Sequence, residues 1–145
     1  MADILHRVEI EASPDKVYQA VSEQSGFTNW WTPRCEAEPR VGSIAKFRFR
    51  NGSIGPDMEV LELIPNKKVV WRCVKGDPQW VGTEFTFDIQ PHARGAVLFF
   101  GQRGWKEASE FYMHCNCKWA FFLGVSLKKY LETGTGMPHP QDPDF

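Results

Sequence analysis

The sequence predicts an α+β domain: six antiparallel strands, two short helices after the first strand and one long C-terminal helix. Three observations carry this. Hydrophobic spacing holds period two through most of the stretch from Ile44 to Gln102 and turns helical from Ser109 to Glu132. The five strands of that middle stretch follow one another through short turns, with no room for crossover helices, so they form an antiparallel meander. The length of 145 residues matches one ordinary domain, able to withdraw roughly 68–70% of its unfolded surface from water without disulfides or metals.

Taken in order, His6 to Glu11 alternates, with Val8 and Ile10 inward and Arg7, Glu9 and Glu11 outward. Ser13-Pro14-Asp15 opens a helix, Ser as N-cap and Pro at the first helical position. Its stripe is Val17, Tyr18 and Val21, and Gly26 ends it. Phe27 to Pro33 is a second short helical piece, stopped by the proline. Ile44 to Arg50 alternates again, Phe47 and Phe49 against Lys46, Arg48 and Arg50, the charged set reading as a solvated face. Asn51-Gly52-Ser53 is a turn. Further strands are Met58 to Ile64, Lys68 to Val74, Gly82 to Gln90 and Ala96 to Gln102. Glu62 shares parity with inward Val60, unless a bulge reverses it. Ser109 caps the last helix, which ends before Gly134. Residues 1–133 form the domain, and 134–145, rich in proline and glycine, read as an extended or disordered tail.

At about 100° per residue, Glu110, His114, Lys118, Lys128, Lys129 and Glu132 share one arc of the last helix and face water. Tyr112, Cys115, Trp119, Phe122, Leu123, Leu127 and Tyr130 collect on the other. Asn116 falls in the apolar arc, where a buried amide must find partners.

Composition removes several function classes. Seventeen basic and 18 acidic residues leave a net charge of −1, giving no general pull toward nucleic acid or anionic membranes. No apolar run approaches the roughly 20 residues of a membrane span. Met1 to Ile4 does not open a signal peptide, so a cytoplasmic location is expected. Cys35, Cys73, Cys115 and Cys117 lack metal-ligand spacing, and His114 with Cys115-Asn116-Cys117 points in divergent directions on a helix; neither a metal nor a cofactor is expected. Nucleophile-elbow, phosphate-loop and dinucleotide motifs are absent. The distinctive number is 14% aromatic residues, which make either an aromatic core or a pocket walled by rings.

The order of these elements resembles the helix-grip, or START-like, fold. The motifs resemble one branch of it, the SRPBCC domains grouped with homologues of the activator of heat-shock-protein-90 ATPase, which include polyketide cyclase-like members. The residues concerned are Val8-Glu9-Ile10 running into Ser13-Pro14-Asp15, then Trp30-Trp31-Thr32-Pro33. Val60 to Pro65 followed by Val69-Val70-Trp71, the Gly82-Thr83 opening of an alternating strand, and Trp119 with Leu123, Leu127 and Leu131 complete the set. Resemblance spans residues 4–133. It departs in a single glycine at Val41-Gly42-Ser43 and in Lys118 before Trp119.

The resemblance implies a curved sheet wrapped around the last helix, with a cavity between them. Phe47, Phe49, Trp71, Phe85 and Phe87 of the sheet would face Tyr112, Asn116 and Trp119 of the helix, with one ring of the Trp30-Trp31 pair, taken as Trp31, at the mouth. Such a site suits an apolar, aromatic or lipid-like ligand, and that is the leading expectation. One alternative is a co-chaperone-like domain working on a heat-shock ATPase through its surface. The other is a cyclase- or hydrolase-like enzyme, for which no inward acid–base pair is evident. A homodimer is compatible with all three.

Overall fold

Period-two spacing at the amino end becomes β1, Ala2–Ile10, in the computed structural model, which describes residues 1–145. Ile4 and Ile10 are buried there, while Leu5, Arg7 and Glu9 are exposed. After β1 come α1 (Pro14–Ala20), α2 (Gln24–Trp30), β2 (Cys35–Glu36), β3 (Ile44–Phe47), β4 (Asp57–Ile64), β5 (Lys68–Lys75), β6 (Glu84–His92) and β7 (Gly95–Trp105). The strands form one antiparallel sheet in the order β1-β7-β6-β5-β4-β3-β2. It has seven strands where six were expected. The addition is β2, whose two residues pair with Phe47 and Lys46 and are too few to show a period.

Register explains why one face of this sheet stays in water. Asp3 lies opposite Arg103, Arg103 opposite Glu84, Glu84 opposite Arg72, and Arg72 opposite Glu59. Signs alternate across five strands, the arrangement that cross-strand pairing favours. A register slip between Val60 and Glu62 turns Glu62 outward, 3.7 Å from Lys68, so parity with Val60 does not bring that carboxylate inside. β3 stops at Phe47, short of the expected Arg50, because Arg50 and Asn51 take left-handed backbone angles, φ 49° and 58°. Arg48 departs from the solvated stripe: its guanidinium donates to the carbonyls of Phe47, Gly55 and Pro56 and pairs with Asp57 at 2.7 Å. It braces the β3–β4 turn.

In α1, Ser13 holds the N-cap position without a side-chain cap bond, and Pro14 sits in the first turn. The last helix has three parts: α3 (Glu110–Phe121), a π-helical segment (Phe122–Leu127) and α4 (Lys128–Thr133). Ser109 Oγ accepts from the Tyr112 N–H, as the sequence predicts. The wider π turn keeps Phe122, Leu123, Ser126 and Leu127 all inside. One flank of the helix follows β1, an edge strand. The Tyr112 hydroxyl donates to the Asp3 carbonyl at 2.7 Å, Lys128 Nζ donates to the Glu9 carbonyl, and Glu132 accepts from the Glu11 N–H at 2.8 Å. These side chains satisfy backbone groups that an open edge would offer to another strand.

The other flank is closed by the tail, which is ordered against its own chain rather than extended or disordered. Gly134 takes φ 91° as the left-handed C-cap. Gly136 then passes so close to the Asn29 carbonyl that a Cβ would collide with it, with the Ser126 carbonyl tight beside it. The Met137 N–H donates to Ser126 Oγ and the His139 N–H to the Trp31 carbonyl, each at 2.8 Å. Asp142 is the clasp, holding Lys118 Nζ at 2.7 Å and His139 Nδ1 at 2.8 Å. Because the Arg50 N–H donates to His139 Nε2, the neutral imidazole carries its proton on Nδ1 and donates it to Asp142.

Candidate functional site

The concave side of the sheet carries alternate aromatic residues from β3, β5, β6 and β7, and the helix lays Trp119 among them. Phe47, Phe85 and Phe87 are fully buried, with Trp71 at 1% and Trp31 and Trp119 at 3% exposure. These rings touch one another. Trp119 lies 4.5 Å from Phe100, 5.1 Å from Trp31 and 6.0 Å from Phe85, centroid to centroid. Trp71 lies 4.9 Å from Phe87 and 5.5 Å from Phe47, and Trp31 lies 4.4 Å from Phe47. Tilted and edge-on contacts at these spacings are those of packed aromatic rings. Phe49 is half-buried at its margin, 5.6 Å from Trp31 and 5.2 Å from His139 of the tail.

Four placements differ from the sequence reading. Asn116 is exposed: it lies about 100° round the helix from buried Cys115, at the margin of the apolar arc. Both members of the tryptophan pair are inside. Trp30 donates its indole N–H to the Ala20 carbonyl at 2.8 Å, and Trp31 lies under the tail instead of at an open mouth. Lys118 is half-buried by its pairing with Asp142. Tyr112 is half-buried, its hydroxyl spent on β1.

Sequence reasoning missed the polar thread through this core. Gln102, fully buried, accepts from the Trp119 indole N–H and donates to Thr83 Oγ1, both at 3.1 Å, and Thr83 donates to the Trp80 carbonyl. Gln102 sits opposite Ile4 on β1 and Phe85 on β6, so its inward parity was readable, but its partners were not. Trp80, from the β5–β6 loop, stacks on Trp119 at 6.1 Å and donates to Cys115 Sγ at 3.4 Å.

Burial lowers the pKa of His6, partly offset by its neighbour Asn116, and His6 Nε2 has no hydrogen-bond partner. Burial pushes Cys35 and Cys73 up to about 11 and Cys115 to about 12, so all three are protonated thiols at neutral pH and poor nucleophiles. No group of three His, Cys, Asp or Glu side chains comes together to hold a metal, and no helix is long and apolar enough to cross a membrane. Two open surface recesses, of about 230 Å³ between α1, α2 and α4 and about 630 Å³ beside Ile64, Lys68 and Phe99, are lined by none of the nine residues expected to form the site.

A family model described as "Activator of Hsp90 ATPase homolog 1-like protein" matches residues 11–132. The solution structure of the Aha1 dimer from Colwellia psychrerythraea is 44% identical, with a TM-score of 0.85, covering 94% of this chain and all of that one. A Mesorhizobium loti protein is 23% identical over 84% of this chain and 91% of its own, TM-score 0.73. DynU16, of the dynemicin biosynthetic locus, is 21% identical over 98% of this chain and half of its own, TM-score 0.77. The last two share the fold.

Proposed function

Since the chain belongs to the activator of Hsp90 ATPase homolog 1-like family, we propose that it is a protein-interaction domain of the co-chaperone type, working through its surface and as a dimer. The observation that carries this is the mutual contact of the rings that would wall a ligand cavity, with Trp119 at their centre and its indole N–H spent on Gln102. The 44% identical relative described as an Aha1 dimer supports the dimeric part. The test is ATP turnover by an Hsp90-type chaperone with and without the chain, alongside capture of that chaperone. Stimulated turnover with direct capture is expected. Unchanged turnover and no capture would remove the co-chaperone reading.

A second reading keeps the nine-residue site for a small apolar or lipid-like ligand admitted by repacking of the rings. One observation favours it: His6 Nε2 and Trp105 Nε1 are buried without partners, two polar atoms that a ligand could satisfy. Native mass spectrometry with aromatic and lipid ligands tests it. Binding that is weakened in a Trp119→Phe variant shown by its melt to be folded supports it, and equal binding or none to both forms removes it.

A further inference from the structure

The C-terminal helix has a face that nothing in its own chain covers. Met113 and Val125 stand 57% and 45% exposed, and Asn116, Cys117 and Ala120 are exposed between them. At Gly124 even a Cβ would meet nothing within 4 Å. Along the centre of this face no charge interrupts about three turns. That sets it apart from the outer face of the sheet, where charges alternate strand by strand. β1 bounds it on one side and the tail, through Lys118 and Asp142, on the other.

The charges stand at its two ends and differ in sign. Glu110, in the first turn of α3, and Lys129, in α4, are both exposed, and neither forms an ion pair within the chain. A two-fold axis perpendicular to the helix near Ala120, midway between them, sets Glu110 of one copy against Lys129 of the other, twice. Met113 then meets the region of Val125 in the partner copy. Small side chains at the crossing let two helices approach to about 8 Å, and antiparallel helix dipoles add to the match. The surface is complementary to itself, as an isologous contact requires.

We propose that the outer face of the C-terminal helix is a self-association surface, its occupant the same face of a second copy in antiparallel orientation. This rests on the dimeric reading above and locates the contact. The test is sedimentation and light scattering of the full chain and its variants, with circular dichroism and thermal melting to confirm folding. Ala120→Arg, at an exposed helical position, sets two like charges on the axis and is expected to weaken the dimer by at least about a hundredfold, with an unchanged melt at a dilution where both forms are monomeric. Glu110→Lys alone and Lys129→Glu alone are each expected to weaken it roughly tenfold, and the double reversal to restore it. In a Cys117→Ser background, Ala120→Cys is expected to give a covalent dimer under mild oxidation.

A wild-type chain that stays monomeric at every accessible concentration would overturn both the dimeric reading and this surface. A wild-type dimer indifferent to Ala120→Arg would overturn the surface alone and leave the dimer standing. A dimer that survives Ala120→Arg while capture of an Hsp90-type chaperone is lost would assign the face to that partner and equally overturn the proposal.

Discussion

The two faces of the C-terminal helix obey opposite rules. Inward, Cys115, Trp119, Phe122, Leu123 and Leu127 are buried among rings and aliphatic side chains, and the one donor among the large side chains, the Trp119 indole N–H, is matched by Gln102. Outward, Met113, Asn116, Cys117 and Ala120 meet solvent, with charges held to the ends. The inner face is committed to stability, and changing it costs the fold. The outer face contributes little to stability, which leaves it free for a partner.

The largest expected effect lies inside. Trp119→Ala removes a ring at the centre of the aromatic cluster and leaves the Gln102 oxygen without its donor, so a loss of about 3–5 kcal/mol in denaturant unfolding is expected. A loss under about 1 kcal/mol would mean that the ring stands in a roomy site and would blur the contrast between the faces.

The tail clasp comes next. Asp142→Ala removes both the Lys118 and His139 contacts, and about 1–2 kcal/mol is expected to go. Amide exchange should quicken at Met137 and His139, whose N–H groups the docked tail buries. Unchanged exchange there would show that the glycines and Ser126 hold the tail without the clasp.

Acid should separate these regions in two stages. His6, kept neutral by burial with its pKa below 6.5, contributes stability that is present above pH 6.5 and declines as pH falls through its lower folded value. Burial raises the Asp142 carboxyl, but the hydrogen bonds from Lys118 and His139 outweigh this and hold it below 3.8. Its contribution is therefore complete above pH 3.8 and is lost as pH falls through the folded value. Urea melts across pH should show both declines in the wild type and a smaller second decline in Asp142→Ala, where Glu132, held low by the Glu11 N–H and Lys128, still titrates.

The smallest effect belongs to the outer face. Met113→Ala should change monomer stability by under about 0.5 kcal/mol, measured at a dilution where the chain is monomeric. A larger loss would mean that this side chain packs within its own chain.

How far the sequence could be read follows from the range of each interaction. The six expected strands, the Ser109 cap and the Trp119–Leu123–Leu127 stripe are local patterns, and each is found in its place, though several strand ends shift and β3 stops three residues early. The family resemblance also stands, since its motifs keep their order over most of the chain. What escaped depends on distant partners or on backbone irregularity. β2 exists only because β3 offers it an edge. The slip beside Glu62 reverses a face without leaving a period to read. Asn116 lies at the margin of a helical arc, where a tilt of a few tens of degrees decides burial, and the helix tilts it out. The tail reads as polar and breaker-rich, yet Ser126, Trp31 and Lys118 supply partners that no spacing rule links to residues 137–142. Of the nine residues expected to form the site, Trp31, Phe47, Trp71, Phe85, Phe87 and Trp119 are buried rings, but ring count alone does not tell a packed core from a cavity.

Nuclear magnetic resonance of the tryptophan indole N–H groups during titration with apolar aromatic ligands asks most directly whether the interior is full. The Trp31, Trp71 and Trp119 signals should stay in place through the titration, while concentration of the free protein shifts backbone signals around Met113, Ala120 and Val125. Saturable movement of the Trp71 and Trp119 indole signals with a small aromatic ligand, with no change along the outer helix on concentration, would contradict the assignment of work to the surface.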